Sequence, residues 1–403
     1  MKKSIAMLLA AALMVMCFAG CGQQATNDGG QSAAGDNVIK IGVFEPTTGE
    51  NGGGGVQEVL GIRYANSLKN TVTIGGTEYK IVLDEVDNQS DKTAAVTAAQ
   101  KLVSDGVSVV LGSYGSGVSI AAGSTFASAK IPAIGVSCTN PQVTSGNEWY
   151  FRTCFLDPFQ GTVMASYAYD TCGLKKAAVI CQNGDDYSTG LANYFKQAYK
   201  GELVYDGTYN TNESDFNALL TAAKAANPDV IFCPSSIATA GLMVKQARDL
   251  GITCDIMAGD TWENTQIVDN AGADNCKGVS FSTFFDENDS TAVDFVKGFK
   301  EYLNSDSKNI KLNGGKDGVA AVSALGYDAY NAAVAAIEAA GSTDTAAIRD
   351  ALAKLDTIGV TGVIKFDENG DAMKDKAYIK TVDNGEFKFV GTQSTDGVFK
   401  PVE

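Results

Sequence analysis

Three loops carry the side chains with the clearest capacity for chemistry. Gly112-Ser113-Tyr114-Gly115-Ser116-Gly117 follows an apolar run and opens a helical pattern. Its backbone N–H groups, the positive end of the following helix and the Ser116 hydroxyl, placed to cap that helix, all favour an anion such as a carboxylate. Phosphate is disfavoured, because no Lys-Ser/Thr pair follows the glycines. Ser137-Cys138-Thr139-Asn140-Pro141 ends another apolar run in two hydroxyls and a turn, so backbone carbonyls and Thr139 can meet both ends of a zwitterion. Gly259-Asp260-Thr261-Trp262 sets a carboxylate at a strand end, where it can pair with an ammonium group. Each loop also has a plainer reading: a tight turn with an N-cap for the first, a bare turn for the second, and a helix cap for Asp260.

Several chemistries are excluded by composition. None of the 403 residues is histidine, so no Ser-His-Asp, Cys-His or His-metal centre can form. An enzyme would have to work with Asp, Glu, Lys or Tyr alone. The candidate carboxylate pairs, Asp185 with Asp186 and Glu45 with Asp260, lack a recognisable nucleophile. Binding without catalysis, cofactor or metal is the expectation.

The elements that must position these loops alternate in type. Strand patterns at 38–44, 79–86, 107–112 and 133–136 are separated by helical patterns at 56–68, 92–104 and 119–129. A second series runs from a helix at 160–169 through strands at 176–181, 202–209, 230–233 and 255–258, with helices at 188–199, 216–226 and 240–250 between them. This alternation predicts an α/β fold of two doubly wound lobes with parallel sheets. Such sheets bind ligands at the carboxyl ends of their strands, where all three loops lie. After Phe284 the chain turns helix-rich, with Val319 to Ala340 the clearest element. Strands at 364–367 and 378–382, joined by Glu368-Asn369-Gly370-Asp371, and a further strand at 387–392 complete the tail.

The first residues address the compartment. Lys2 and Lys3, an apolar run from Ile5 to Ala19 and the boundary Ala19-Gly20-Cys21 predict a bacterial secretory signal over residues 1–20. Two small residues before a cysteine resemble a lipobox, which makes Cys21 the lipid-anchored first residue of the mature chain. Phe18 departs from the usual aliphatic residue, and an ordinary cleaved signal is the alternative. Residues 21–36 read as a flexible Gly/Ser/Asn/Gln-rich tether. No later apolar run reaches the ~18 residues of a spanning helix, so the folded part is expected outside the membrane and held to it only by lipid. A net charge of −16 argues against nucleic acid or anionic lipid as partner. Beyond Cys17 and Cys21 stand Cys138, Cys154, Cys172, Cys181, Cys233, Cys254 and Cys276. Their number is odd, no CxxC occurs and their surroundings are mostly apolar, so buried free thiols are expected.

Six ordered motifs carry a resemblance. They are Lys40-Ile41-Gly42-Val43, Gln100-Lys101-Leu102-Val103 with Asp105-Gly106-Val107, Thr139-Asn140-Pro141, Phe151-Arg152-Thr153, Ala225-Ala226-Asn227-Pro228-Asp229-Val230 and Gln246-Ala247-Arg248-Asp249-Leu250-Gly251. Together they resemble the leucine/isoleucine/valine-binding proteins of ABC transporters, the type I periplasmic-binding family. The resemblance implies three hinge crossovers, near Phe155, Phe284 and Gly362, with one lobe from 37–155 and 285–362 and the other from 156–284 and 363–403. It further implies that Ser116 and Thr139 hold an α-carboxylate, that Ser137 offers a backbone contact, that Asp260 pairs with the ammonium, and that Tyr187 closes over the ligand from the second lobe.

Departures from the family pattern concern the side-chain pocket. Gly54, within Gly52-Gly53-Gly54-Gly55, stands where the family usually has an aromatic, and Ser236, Ile237 and Val322 stand where it has bulk. The implied pocket is therefore widened, for a side chain larger than valine's, aromatic or extended polar, with Tyr114 or Trp262 able to fill the gap from another direction. The implied function is that of a lipoprotein on the outer face of a Gram-positive-type cytoplasmic membrane. It would deliver an amino acid to an ABC permease and its ATPase subunits. A sensor subunit for a membrane receptor, or an amide, urea or short peptide as ligand, are the alternatives.

Overall fold

The computed structural model describes residues 37–394 and 397–402. The secretory signal, the Cys21 anchor and the tether lie outside them. Six strands form the first sheet: β1 (Val38–Glu45), β2 (Thr71–Ile74), β3 (Thr77–Asp87), β4 (Val109–Leu111), β5 (Ala133–Gly135) and β6 (Tyr150–Arg152). Their order is β2-β3-β1-β4-β5-β6, parallel except for β2. The second sheet begins with β7 (Lys176–Gln182), β8 (Glu202–Tyr209), β9 (Val230–Phe232), β10 (Asp255–Ala258) and β11 (Val279–Thr283), all parallel. After the two-stranded ribbon β12 (Asp356–Gly359) and β13 (Gly362–Lys365), the strands β14 (Lys376–Asp383), β15 (Glu386–Ser394) and β16 (Phe399–Pro401) extend that sheet antiparallel.

The two-lobe α/β reading holds, with corrections at the margins. β2 and β6 extend the first sheet beyond the alternating series. The tail pairs differently from the sequence pattern: β13 pairs with β12, and β14 pairs with β11 and β15. A strand pattern specifies which face is apolar but not which neighbour supplies hydrogen bonds.

Between β11 and β14 the chain returns to the first lobe, where the helix Ala321–Ala340 packs against the helix Gly52–Leu68. Small residues set this approach. A Cβ on Gly61 would lie 1.9 Å from the Ser323 carbonyl oxygen, and one on Gly326 2.4 Å from that of Glu58. The outgoing and returning segments lie side by side, with the rings of Phe155 and Phe284 4.4 Å apart. No helix among the described residues is long and apolar enough to cross a membrane. All seven described cysteines are free, and five are buried; Cys172 is exposed and Cys254 half-buried.

Candidate ligand-binding site

The carboxyl ends of the parallel strands of both sheets converge on one cavity of about 20 Å³. From the first lobe come Asn51 after β1, Tyr114 and Ser116 after β4, and Ser137 after β5. Asp185 and Tyr187 after β7, Ser236 after β9, and Asp260 with Thr261 after β10 face them from the second lobe. The lining is hydroxyl, amide and carboxylate.

Asp260 is the decisive side chain. It is 3% exposed and forms no ion pair with a lysine or arginine among the described residues; its Oδ1 accepts from Gln160 Nε2 at 2.8 Å and from the Tyr187 hydroxyl at 3.0 Å. Gln160 is held in turn by Ser282 Oγ at 2.9 Å. Burial pushes the Asp260 carboxyl up to about 6, while the Gln160 and Tyr187 hydrogen bonds pull it down. A carboxylate buried among neutral donors leaves the cavity negative, which favours a cation. Asp260 begins a 3₁₀ turn, Asp260–Trp262, and caps no helix with its side chain.

The two first-lobe loops are cemented separately. Ser116 does not cap its helix; its hydroxyl accepts from the Asn140 N–H at 3.1 Å and so ties the first loop to the second. Arg152, wholly buried, donates through Nη1 to the carbonyls of Cys138 and Asn140 at 2.8 Å each, through Nη2 to Thr144 Oγ1 at 2.6 Å, and pairs with Asp371 at 2.6 Å. The loop after β5 is thus fixed from beneath by one guanidinium.

The cleft is shut by polar contacts between lobes. Ile237 N–H donates to Asn51 Oδ1 at 3.2 Å, Asn140 Nδ2 donates to the Asp186 carbonyl at 2.8 Å, and Lys92 pairs with Asp186 at 2.8 Å. The Tyr114 hydroxyl reaches the Thr261 carbonyl at 3.4 Å.

Four of the expected residues do not line the cavity. The Thr139 hydroxyl is fully buried and faces the Asp157 carboxyl. Trp262 is packed inside the second lobe, its indole N–H donating to Ser235 Oγ at 3.1 Å. Val322 belongs to the buried face of the helix Ala321–Ala340. Gly54 lies under the Tyr114 ring: a Cβ there would sit 2.3 Å from Tyr114 Cε2 and Cζ. This overturns the widened pocket. The bulk absent at position 54 is supplied by Tyr114.

Asn51, Asp185 and Thr261 line the cavity without having been singled out from the sequence as ligand contacts. Their neighbours Tyr187, Asp260 and the Gly52–Gly55 run were, so adjacency was the available signal. The two candidate carboxylate pairs have other partners: Asp185 caps its helix by accepting from Ser188 N–H at 2.7 Å, Asp186 pairs with Lys92, and Glu45 meets Glu58.

A family model described as periplasmic binding protein matches residues 38–386. The chain belongs to that family. Among relatives of this periplasmic binding protein, a Leu/Ile/Val-binding protein homolog from Brucella abortus (strain 2308) is 31% identical over 362 residues, 88% of this chain and 92% of that one. A leucine-binding protein from Thermotoga maritima superposes with a TM-score of 0.81 at 33% identity, covering 89% of this chain and all of the other. A branched-chain amino acid transporter substrate-binding protein from Streptococcus pneumoniae, solved in complex with isoleucine, gives 0.80 at 29% identity, with coverage of 90% and 100%. The relatives of this kind are described as amino-acid-binding and transporter substrate-binding proteins.

Proposed function

We propose that this chain is the lipid-anchored solute-binding component of an ABC importer, and that it captures an α-amino acid by closing its lobes and presents it to the permease. The observation that carries this reading is Asp260, a buried carboxylate with neutral donors on one side and the cavity on the other. An ammonium supplies the missing charge, and Ser116 and the backbone N–H groups after β4 offer donors to a carboxylate. Lobe closure around a ligand is a known route by which such bilobed proteins work. The ligand's side chain is short, no larger than valine's, because Tyr114 occupies the space over Gly54 and the lining has no aliphatic wall.

A thermal-shift panel of the twenty amino acids tests the class. Stabilisation is expected from amino acids and not from their decarboxylated amines or deaminated acids. Equal stabilisation by a simple carboxylic acid lacking the amine would overturn the role given to Asp260.

A further inference from the structure

Beneath the cavity two carboxyl groups meet without a cation. Glu45 is 1% and Glu58 0% exposed. Glu45 stands at the carboxyl end of β1 and Glu58 in the second turn of the helix Gly52–Leu68. Each spends one oxygen on a residue of the cavity wall: Glu45 Oε2 accepts the Tyr114 N–H at 2.7 Å, and Glu58 Oε1 accepts the Ser137 hydroxyl. The other oxygen of each, Glu45 Oε1 and Glu58 Oε2, finds no N–H or O–H donor, and the two side chains face one another in hydrogen-bonding contact.

Two ionised carboxylates cannot hold that contact in a dry interior, because both are acceptors. A proton between them resolves it, making one a donor to the other. We propose that Glu45 and Glu58 hold at least one proton between them beneath the ligand cavity, and that this proton positions Tyr114 and Ser137 for the ligand. The second half rests on the amino-acid reading above. Both are positioning residues, since neither lines the cavity.

The surroundings agree with this charge state. Burial, the largest effect on each, raises both carboxyls; Glu45 is raised further by Glu58, and Glu58 stands at about 8. The titratable groups that face the pair are the Cys138 thiol and the Tyr150 phenol from the first lobe, the Cys154 thiol from the first crossover, Asp260 from the second lobe, and Tyr114 across the cavity. None is a cation. From the packed helix Ala321–Ala340 come Gly326 and Ser323, while its Asp328 is turned to the N–H groups of Val360 and Thr361. When the proton leaves to solvent, two like charges must separate, and Tyr114 N–H and the Ser137 hydroxyl go with them.

Ser137 gains a defined polarity from this arrangement. Its hydrogen points to Glu58, so its lone pairs are left for the cavity beside Asp260, where they suit an ammonium donor.

Two measurements on the full-length protein test the proposal. Infrared spectroscopy at pH 7 should show a protonated buried carboxyl band that shifts on deuteration, titrates away at alkaline pH, and is lost in both Glu45→Gln and Glu58→Gln, where an amide N–H takes the proton's place. Calorimetric titrations with L-alanine and L-leucine, from about pH 7 to about pH 9.5, test the positioning role. The affinity of the wild type relative to Glu58→Gln should fall at least tenfold across this range, since the ligand's amine titrates alike for both proteins. Parallel pH profiles would overturn the positioning role, and absence of the band would overturn the shared proton. Binding of neither amino acid would remove the amino-acid reading together with the positioning role, while the band still decides the shared proton. Should one variant fail to fold, the other carries both measurements.

Discussion

Asp260 is stable in its buried site only at a cost that a ligand's ammonium can offset. Its carboxyl stands at about 6 because burial raises it. A carboxyl raised on folding contributes stability that is fully present below the ordinary carboxylate range and lost as pH rises through the folded value. Between about pH 4 and about pH 7 the ligand-free protein should therefore lose stability through Asp260, and Asp260→Asn should flatten that part of the melting-temperature profile. Amino-acid affinity should run the opposite way, rising from pH 5 to pH 7 as the carboxylate forms; a flat calorimetric profile would contradict the pairing. On the proposed function, Tyr114 sets the size of the ligand's side chain. Tyr114→Ala should shift the preference from alanine toward leucine, measured as a ratio of dissociation constants changing at least tenfold, with no change in ratio arguing against its role as the pocket wall. The loops that line the cavity were legible in the sequence as hydroxyls and a carboxylate after strand patterns, but such residues also serve as turns and caps, so the family resemblance and not the pattern alone pointed to a ligand. The Glu45–Glu58 contact was not legible, since it joins a strand end to a helix turn and depends on a distance that no local pattern encodes.

At the scale of elements, the helix Gly52–Leu68 begins with four glycines, which weaken a helix by roughly 1 kcal/mol each relative to alanine. Close approach explains two of them: Gly55 faces the Pro46 carbonyl, 2.1 Å from where a Cβ would lie, and Gly54 faces Tyr114. Read from sequence, the run suggested space; in the fold it admits a ring from the neighbouring loop. Gly54→Ala should accordingly displace Tyr114 and weaken binding, where the wide-pocket reading would have it harmless. The motif Phe151-Arg152-Thr153 was visible as a family feature, but its work was not, because Arg152 acts on carbonyls of the loop after β5 and on Asp371 in the tail. Arg152→Met strands the buried Asp371 carboxylate and frees the loop. A loss of about 3–5 kcal/mol in denaturant unfolding is expected, and a loss below about 1 kcal/mol would place the loop's rigidity elsewhere. The tail strands were legible as strands and misassigned in partner, because alternation fixes a face and leaves the hydrogen-bonded neighbour open.

At the scale of the whole molecule, two sheets of related topology meet through their strand ends, and polar contacts join the lobes across the cleft. Lys92–Asp186 is half-exposed, so it contributes little, typically 0–1 kcal/mol. Closure contacts inside the cleft run through Asn51, Tyr114 and Thr261, which also line the cavity, and through the buried Asn264–Gln57 hydrogen bond at 3.2 Å, which does not. On the proposed function, ligand and closure would share several of the same side chains, which would couple binding to lobe position. The two-lobe division was readable from the repeated strand-helix alternation, whereas the small cavity was not, because it depends on how the lobes meet. The central claim is that Asp260 binds the ammonium of a short amino acid between those lobes. Calorimetric titration of the wild type and Asp260→Asn with L-alanine and L-valine at pH 7 tests it most directly. One site per chain is expected for the wild type, weakened roughly tenfold to a hundredfold in the variant, the ~1.5–3 kcal/mol of a charge-assisted contact. Binding of neither amino acid, or equal affinity in both proteins, would contradict it.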